Sequence, residues 1–84
     1  MGTIMKARIA ITLKKGVLDP QGQAISHALA HLGFQGVQDV KQGKIIDITL
    51  DETNPEIAEK IYREMCEKLL VNQVIENYTL EMIG

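Results

Sequence analysis

Cysteine and aromatic residues are scarce in this chain of 84 residues, which has one Cys, no Trp and only 4% aromatic residues. With Cys66 alone, no disulfide can form within the chain. A chain this short hides only about 60 to 65% of the surface that its unfolded form exposes, and few large side chains are present to enlarge the core. We therefore expect one small domain, residues 1–84, to which an oligomer would add buried surface.

A positive charge excess and a long apolar run are also missing. Nine basic residues stand against eleven acidic ones, so no basic field is present to attract a nucleic acid. No apolar run approaches the roughly 18 residues of a membrane span, and the first stretch, MGTIMKARIAIT, has no apolar region like that of a signal peptide. We expect a cytoplasmic protein with neither nucleic-acid nor membrane partners.

The hydrophobic pattern of the first half predicts a strand followed by a helix. Apolar residues alternate over residues 7–13, which is typical of a half-buried strand. A helix is predicted over residues 20–32, where Gly33 can form the left-handed cap. Its apolar face consists of Ile25, Ala28, Leu29 and Leu32.

The second half predicts a hairpin, a helix and a strand. The hairpin arms are residues 37–41 and 44–50, with the turn at Gln42 and Gly43. Asn54 and Pro55 are suited to begin the second helix, and NYTLEMI provides the last strand. The residues expected to be buried on the second helix are Ile57, Ala58, Ile61, Met65 and Leu69.

The predicted order is therefore β-α-β-β-α-β. This order indicates an α+β domain in which an antiparallel sheet carries two helices on one face, the ferredoxin-like arrangement or a close variant of it. Many unrelated functions share this fold, so the fold alone names none of them.

No catalytic or metal-binding constellation emerges from the reactive side chains. His27 and His31 are four residues apart, but both point away from the apolar face of the first helix, and the chain lacks the HExxH pattern. Cys66 is expected at the edge of the core, without a basic residue to activate it. Glu64 and Glu67 belong to a charged, solvated helix face. We expect no metal or cofactor in this chain.

The stretch KKGVLDPQGQAI is better interpreted as a helix start than as a phosphate site. It matches neither GxxxxGK[ST] nor GxGxxG. Gly16 permits a chain reversal, Asp19 can accept hydrogen bonds from first-turn amides, and Pro20 fits the first helical position. Asp19 would also occupy the helix end that an anion would need.

Three motifs nonetheless resemble one family. GVLDPQG followed by AL..LGF, the GK of the hairpin, and CEKLL.N.VIE.Y are similar, in this order and spacing, to the small PurS subunits of phosphoribosylformylglycinamidine synthase. The resemblance spans about residues 6–82. Two departures from the family pattern stand out. In the first, Gln73 and Asn77 replace the proline and the acid of NPVIEDY. In the second, Lys41 stands where the family commonly has Arg, and Lys lacks the planar guanidinium that binds a carboxylate or phosphate through two hydrogen bonds.

The resemblance implies a noncatalytic accessory subunit of purine biosynthesis. Its expected partners are a glutaminase subunit, a synthetase subunit that holds ATP and Mg, and further copies of the chain in a dimer or tetramer. The subunit would help to join the other two and complete the ammonia route. The candidate partner interface comprises Lys14, Gly16, Val17, Leu18, Asp19, Pro20, Gly22, Lys41, Gly43 and Lys44.

Two alternatives to an assembly subunit have the same element order. One is a regulatory amino-acid-binding module of the ACT type. The other is an RNA-binding RRM, which is disfavoured because the strands carry Thr and Ile where aromatic residues would be needed.

The sheet face opposite the helices is predicted to be unusually apolar, with Asp47 as its only obvious acid. Such a face on a small domain usually marks a partner surface. The candidate self-association face comprises Ala10, Thr12, Ile45, Thr49, Thr79 and Ile83.

Overall fold

A computed structural model describes residues 5–83 of the protein. The elements are β1 (Met5–Leu13), α1 (Pro20–His31), β2 (Lys44–Leu50), α2 (Pro55–Met65) and β3 (Glu76–Met82), and a π-helical turn at Cys66–Leu70 extends α2. Both helices begin where the sequence predicts. Asp19 and Asn54 each accept hydrogen bonds from first-turn amides, and a proline follows each of them.

The three strands form one antiparallel sheet in the order β2-β1-β3. The central position of β1 places Ile9 between Ile46 of β2 and Leu80 of β3. This arrangement confirms the predicted α+β class with an antiparallel sheet. Within residues 5–83, no helix combines the length and apolar character that crossing a bilayer requires.

The core lies between one face of the sheet and α2. Ile9 and Ile11 of β1 are fully buried, as are Tyr62 and Cys66 on the helical side. The Tyr62 hydroxyl lies 2.8 Å from the carbonyl oxygen of Met5 and 3.0 Å from that of Ile48, so it can donate to either strand. Tyr62 therefore fixes α2 over the seam between β1 and β2.

The predicted buried stripe of the second helix is wrong in part. Ile57 and Leu69 are 47% and 82% exposed, whereas Tyr62 and Cys66 are buried, although Cys66 was expected only at the core edge. Tyr62 can enter the core because its hydroxyl finds carbonyl partners there. The π-helical turn changes the angular spacing after Met65, which moves Leu69 away from the face of an uninterrupted α-helix.

Two features of the predicted ferredoxin-like arrangement are also wrong. Residues 37–41 form no strand, and the chain continues through residues 34–43 without a turn. The amide of Gln42, which a hairpin turn would use, instead donates to the Asp19 carboxylate. In addition, α2 packs on the sheet but α1 makes no extensive contact with any strand or with α2.

Candidate functional site

The residues of the predicted partner interface come together at one end of the sheet. They lie in two stretches, which we call the junction: residues 14–22, which follow β1, and residues 41–44, which end at the first residue of β2. The pairing of Ile11 with Lys44 brings the two stretches side by side. Between them lies an open cleft of about 480 Å³, whose lining includes Asp19, Gln42 and Glu76.

Asp19 connects the two stretches of the junction. One carboxylate oxygen accepts a hydrogen bond from the Gly22 amide at 2.8 Å, and the other accepts one from the Gln42 amide, also at 2.8 Å. The bond from Gly22 and then that from Gln42 lower the pKa of Asp19 below its ordinary value, because both favour the charged carboxylate. The sequence predicted the cap at Gly22, but no local pattern indicated the bond to Gln42, 23 residues away.

Two glycines of the junction allow close backbone contacts. A Cβ atom at Gly22 would lie 2.2 Å from the carbonyl oxygen of Val40, and one at Gly43 would lie 2.5 Å from that of Ile11. Gly16 has a φ of +88°, which favours glycine at that turn. Gly22 and Gly43 therefore have a packing role that the sequence motifs alone did not reveal.

The accessible side chains of the junction combine positive charge with apolar surface. Leu18 is 66% exposed, Val17 is half-buried, and Lys41 is exposed. The Lys44 ammonium lies 3.9 Å from a carboxylate oxygen of Glu76. At the start of α1 the Gly22 amide already donates to the Asp19 carboxylate, so this amide is not available to a phosphate group.

The predicted self-association face lies on the side of the sheet away from α2. Ile45 and Ile83 on this face are 62% and 41% exposed. The face is nevertheless more charged than expected, since Arg8 forms an ion pair with Asp47 at 3.0 Å and Glu81 is the partner of Arg8 on β3. Asp47 is thus not the only acid of this face, and the expectation of an unusually apolar surface is wrong.

The remaining candidate groups are not brought together. His27 and His31 are exposed on α1, while Cys66 is buried at the start of the π-helical turn that extends α2. Burial raises the pKa of the Cys66 thiol, which disfavours the nucleophilic thiolate. In the described part of the chain, no group of three or more His, Cys, Asp or Glu side chains could hold a metal ion.

Comparison with known proteins identifies the family. The sequence model of PurS, described as phosphoribosylformylglycinamidine (FGAM) synthase, matches residues 6–84. The chain belongs to the PurS family. Phosphoribosylformylglycinamidine synthase subunit PurS from Methanocaldococcus jannaschii is 46% identical over 92% of this chain and 93% of that protein.

Solved structures support the same assignment. The crystal structure of M. jannaschii PurS, one of the subunits of formylglycinamide ribonucleotide amidotransferase in the purine biosynthetic pathway, has a TM-score of 0.82 at 45% identity, covering 95% of this chain and 96% of that one. A chain in the structure of PurLQS from Thermotoga maritima has a TM-score of 0.86 at 31% identity, covering 96% of this chain and 99% of that one. The ACT alternative is therefore not favoured.

The positions that depart from the PurS motif lie near the same end of the sheet. Gln73 follows the π-helical turn, and its side-chain amide lies 3.5 Å from the carbonyl oxygen of Glu67. Asn77 is exposed on β3, one residue after Glu76 of the cleft. Lys41 is exposed beside Gln42 and makes no ion pair among the described residues. With all three departures present, the Asp19 carboxylate still accepts hydrogen bonds from the amides of Gly22 and Gln42, a pair of contacts that we call the Asp19 bridge.

Proposed function

We propose that this chain is the noncatalytic PurS subunit of a phosphoribosylformylglycinamidine synthase. The proposal rests on the family match, which extends over residues 6–84 and therefore assigns this whole range to one PurS domain. In the proposed complex, a glutaminase subunit releases ammonia and a synthetase subunit uses it with ATP and Mg. The small subunit joins the two in the cytoplasm.

The chemistry of the described residues supports an accessory role. Catalysis by acyl transfer needs an activated nucleophile, but Cys66 is buried and has a raised pKa, and both histidines lie on α1. The start of α1, which could otherwise bind a phosphate, is occupied by Asp19. The features that remain available are contact surfaces.

The junction is our candidate for the surface that contacts the partner subunits. Its backbone is held by the Asp19 bridge and by the close contacts of Gly22 and Gly43, so its exposed side chains are presented in one fixed arrangement. Leu18 offers an exposed apolar anchor, and it lines the same shallow cleft as Lys41, which supplies a positive charge. Anchors of this kind, surrounded by polar groups, dominate the binding energy of many interfaces.

Sedimentation velocity with the purified glutaminase and synthetase subunits of the same organism tests the assembly. With glutamine, ATP and Mg present, we expect a species that contains all three subunits only when this chain is added. Leu18→Asp should weaken the complex, because it introduces a charge at the proposed anchor. Ile57→Asp is the matched control, since Ile57 is also exposed but lies on the first turn of α2.

The outcome is decisive in both directions. If the glutaminase and synthetase assemble equally well without this chain, the proposed role is wrong. If the chain assembles with them but Leu18→Asp and Ile57→Asp behave alike, the role stands and the junction is not the contact surface.

A further inference from the structure

Two histidines lie one turn apart on the surface of α1. His27 and His31 are both exposed, and together with Ala30 they line one shallow cleft of about 290 Å³. At 3.6 residues per turn, side chains four residues apart differ by about 40° in direction and lie one above the other. Ala30 carries only a methyl group, so the two imidazole rings can approach the same point in the cleft.

The histidine pair lies away from the apolar face of the helix. At about 100° per residue, His27 and His31 lie roughly 200° and 240° around the helix axis from Ile25. Leu32, which belongs to the apolar face, lies within about 20° of Ile25. Gly22, the one buried residue of Pro20–His31, is in the first turn. A surface that covers the apolar face or the start of α1 therefore leaves both imidazoles accessible.

The surroundings of the histidine pair suit a cation. Residues 20–38 contain no Lys or Arg, so the neighbouring sequence places no fixed positive charge beside a bound ion. His31 is in the last turn of α1, where the free carbonyl groups give the helix end a partial negative charge. Among residues 5–83, neither imidazole takes part in a side-chain hydrogen bond or an ion pair.

Two imidazoles at this spacing form a chelate for a late transition-metal ion. Imidazole nitrogen suits Cu²⁺, Ni²⁺ and Zn²⁺, whereas Mg²⁺ and Ca²⁺ prefer oxygen ligands. HExxH helices present two histidines to zinc at the same spacing. In the described part of the chain, no third His, Cys, Asp or Glu joins the pair as a ligand, so water would complete the coordination. Such a site is an exchangeable surface chelate and not a resident metal centre.

We propose that His27 and His31 bind one exchangeable Cu²⁺, Ni²⁺ or Zn²⁺ ion per chain, and that the bound ion stabilises α1. The helix has 12 residues and makes no extensive contact with any strand or with α2. Isolated helices of fewer than about 12 to 15 residues are barely stable in water. An ion that links the last turn of α1 to the turn before it therefore favours the helical state.

Isothermal titration with NiCl₂ tests the site on the full chain, without an added histidine tag. We expect one Ni²⁺ per chain, tighter binding of CuSO₄ and no binding of MgCl₂. The helix holds the second imidazole at a high effective concentration, so His27→Ala and His31→Ala should each weaken Ni²⁺ binding by at least about tenfold.

A variant that keeps two histidines at the wrong spacing is the matched control. His31→Ala combined with Leu32→His separates the two imidazoles by about 140° around the helix axis. This variant should bind Ni²⁺ as weakly as the single variants do. Wild-type binding that survives the loss of either histidine, or equal affinities of the wild type and the control, would overturn the site.

Hydrogen exchange tests the effect of the ion on the helix. At a ZnCl₂ concentration ten times the dissociation constant, local opening of the helix end should become about tenfold rarer, because the ion binds only the helical state. We therefore expect slower amide exchange in α1 of the wild type, with no change in the His31→Ala variant. The helix α2, which contains no histidine, is the internal reference. Unchanged exchange in α1, or equal slowing in both helices, would contradict a local stabilisation.

Discussion

Replacement of Gly22 by Ala tests the junction at its tightest point. In an ordinary helix this change stabilises the protein by about 0.8 to 1 kcal/mol, because Gly is the poorer helix former. Here the added Cβ would lie 2.2 Å from the carbonyl oxygen of Val40 and 2.8 Å from Oδ2 of Asp19. The same Asp19 oxygen holds the Gln42 amide, so relief of the clash must disturb the bridge across the junction.

The balance of these effects predicts the opposite sign from the usual one. Overpacking costs about 1 to 3 kcal/mol, and a backbone contact of 2.2 Å belongs at the upper end of that range. After the helix gain of about 1 kcal/mol is subtracted, we expect Gly22→Ala to lower the free energy of unfolding by roughly 2 kcal/mol. Urea denaturation at one fixed protein concentration measures the change. Gln23→Ala, on the exposed side of the same turn, is the control and should alter stability by less than about 0.5 kcal/mol. A Gly22→Ala protein as stable as the wild type would refute the reasoning.

Three further predictions follow from the core and the junction. Tyr62→Phe should cost about 1 to 2 kcal/mol in urea denaturation, because the strand carbonyls that face the hydroxyl lose their donor; no loss would contradict this role. Cys66 should react with a thiol reagent only as fast as the protein unfolds, because burial raises its pKa and blocks access; rapid reaction of the folded protein would refute this. The hydrogen bonds that lower the pKa of Asp19 stabilise the folded protein at pH values above 3.8, the ordinary pKa of the carboxyl group. This contribution is lost as the pH falls through the lowered pKa of the folded protein. The stability difference between wild type and Asp19→Asn should therefore shrink on acidification, and a difference independent of pH would contradict the assignment.

Local signals in the sequence were sufficient for the elements that depend on local interactions. Alternation over residues 7–13 identified β1, and the cap residues Asp19 and Asn54 located both helix starts. These features need only neighbouring residues, so they can be derived from periodicity and capping chemistry. The candidate junction residues lie at one end of the sheet, because β1 and β2 are paired there.

The interactions that the sequence could not reveal link distant residues. The Gln42 amide, which was predicted to lie in a hairpin turn, donates to the Asp19 carboxylate instead. Residues 37–41, predicted as the first hairpin arm, form no strand. The burial of Tyr62 depends on two carbonyl groups of different strands, so the helix pattern alone favoured Ile57. Likewise, periodicity predicted an apolar face on α1, but Ile25 and Leu32 of that face are 40% and 74% exposed, because α1 packs on neither the sheet nor α2.

The central claim is that this chain acts as a subunit required for glutamine-dependent synthesis of the amidine. The most direct measurement is a titration of the chain into fixed amounts of the glutaminase and synthetase subunits of its own organism, with ATP, Mg and formylglycinamide ribonucleotide. We expect product formation from glutamine to rise with added chain and then to saturate, while formation from ammonia stays nearly constant. Product formation from glutamine at the full rate without the chain would contradict the account.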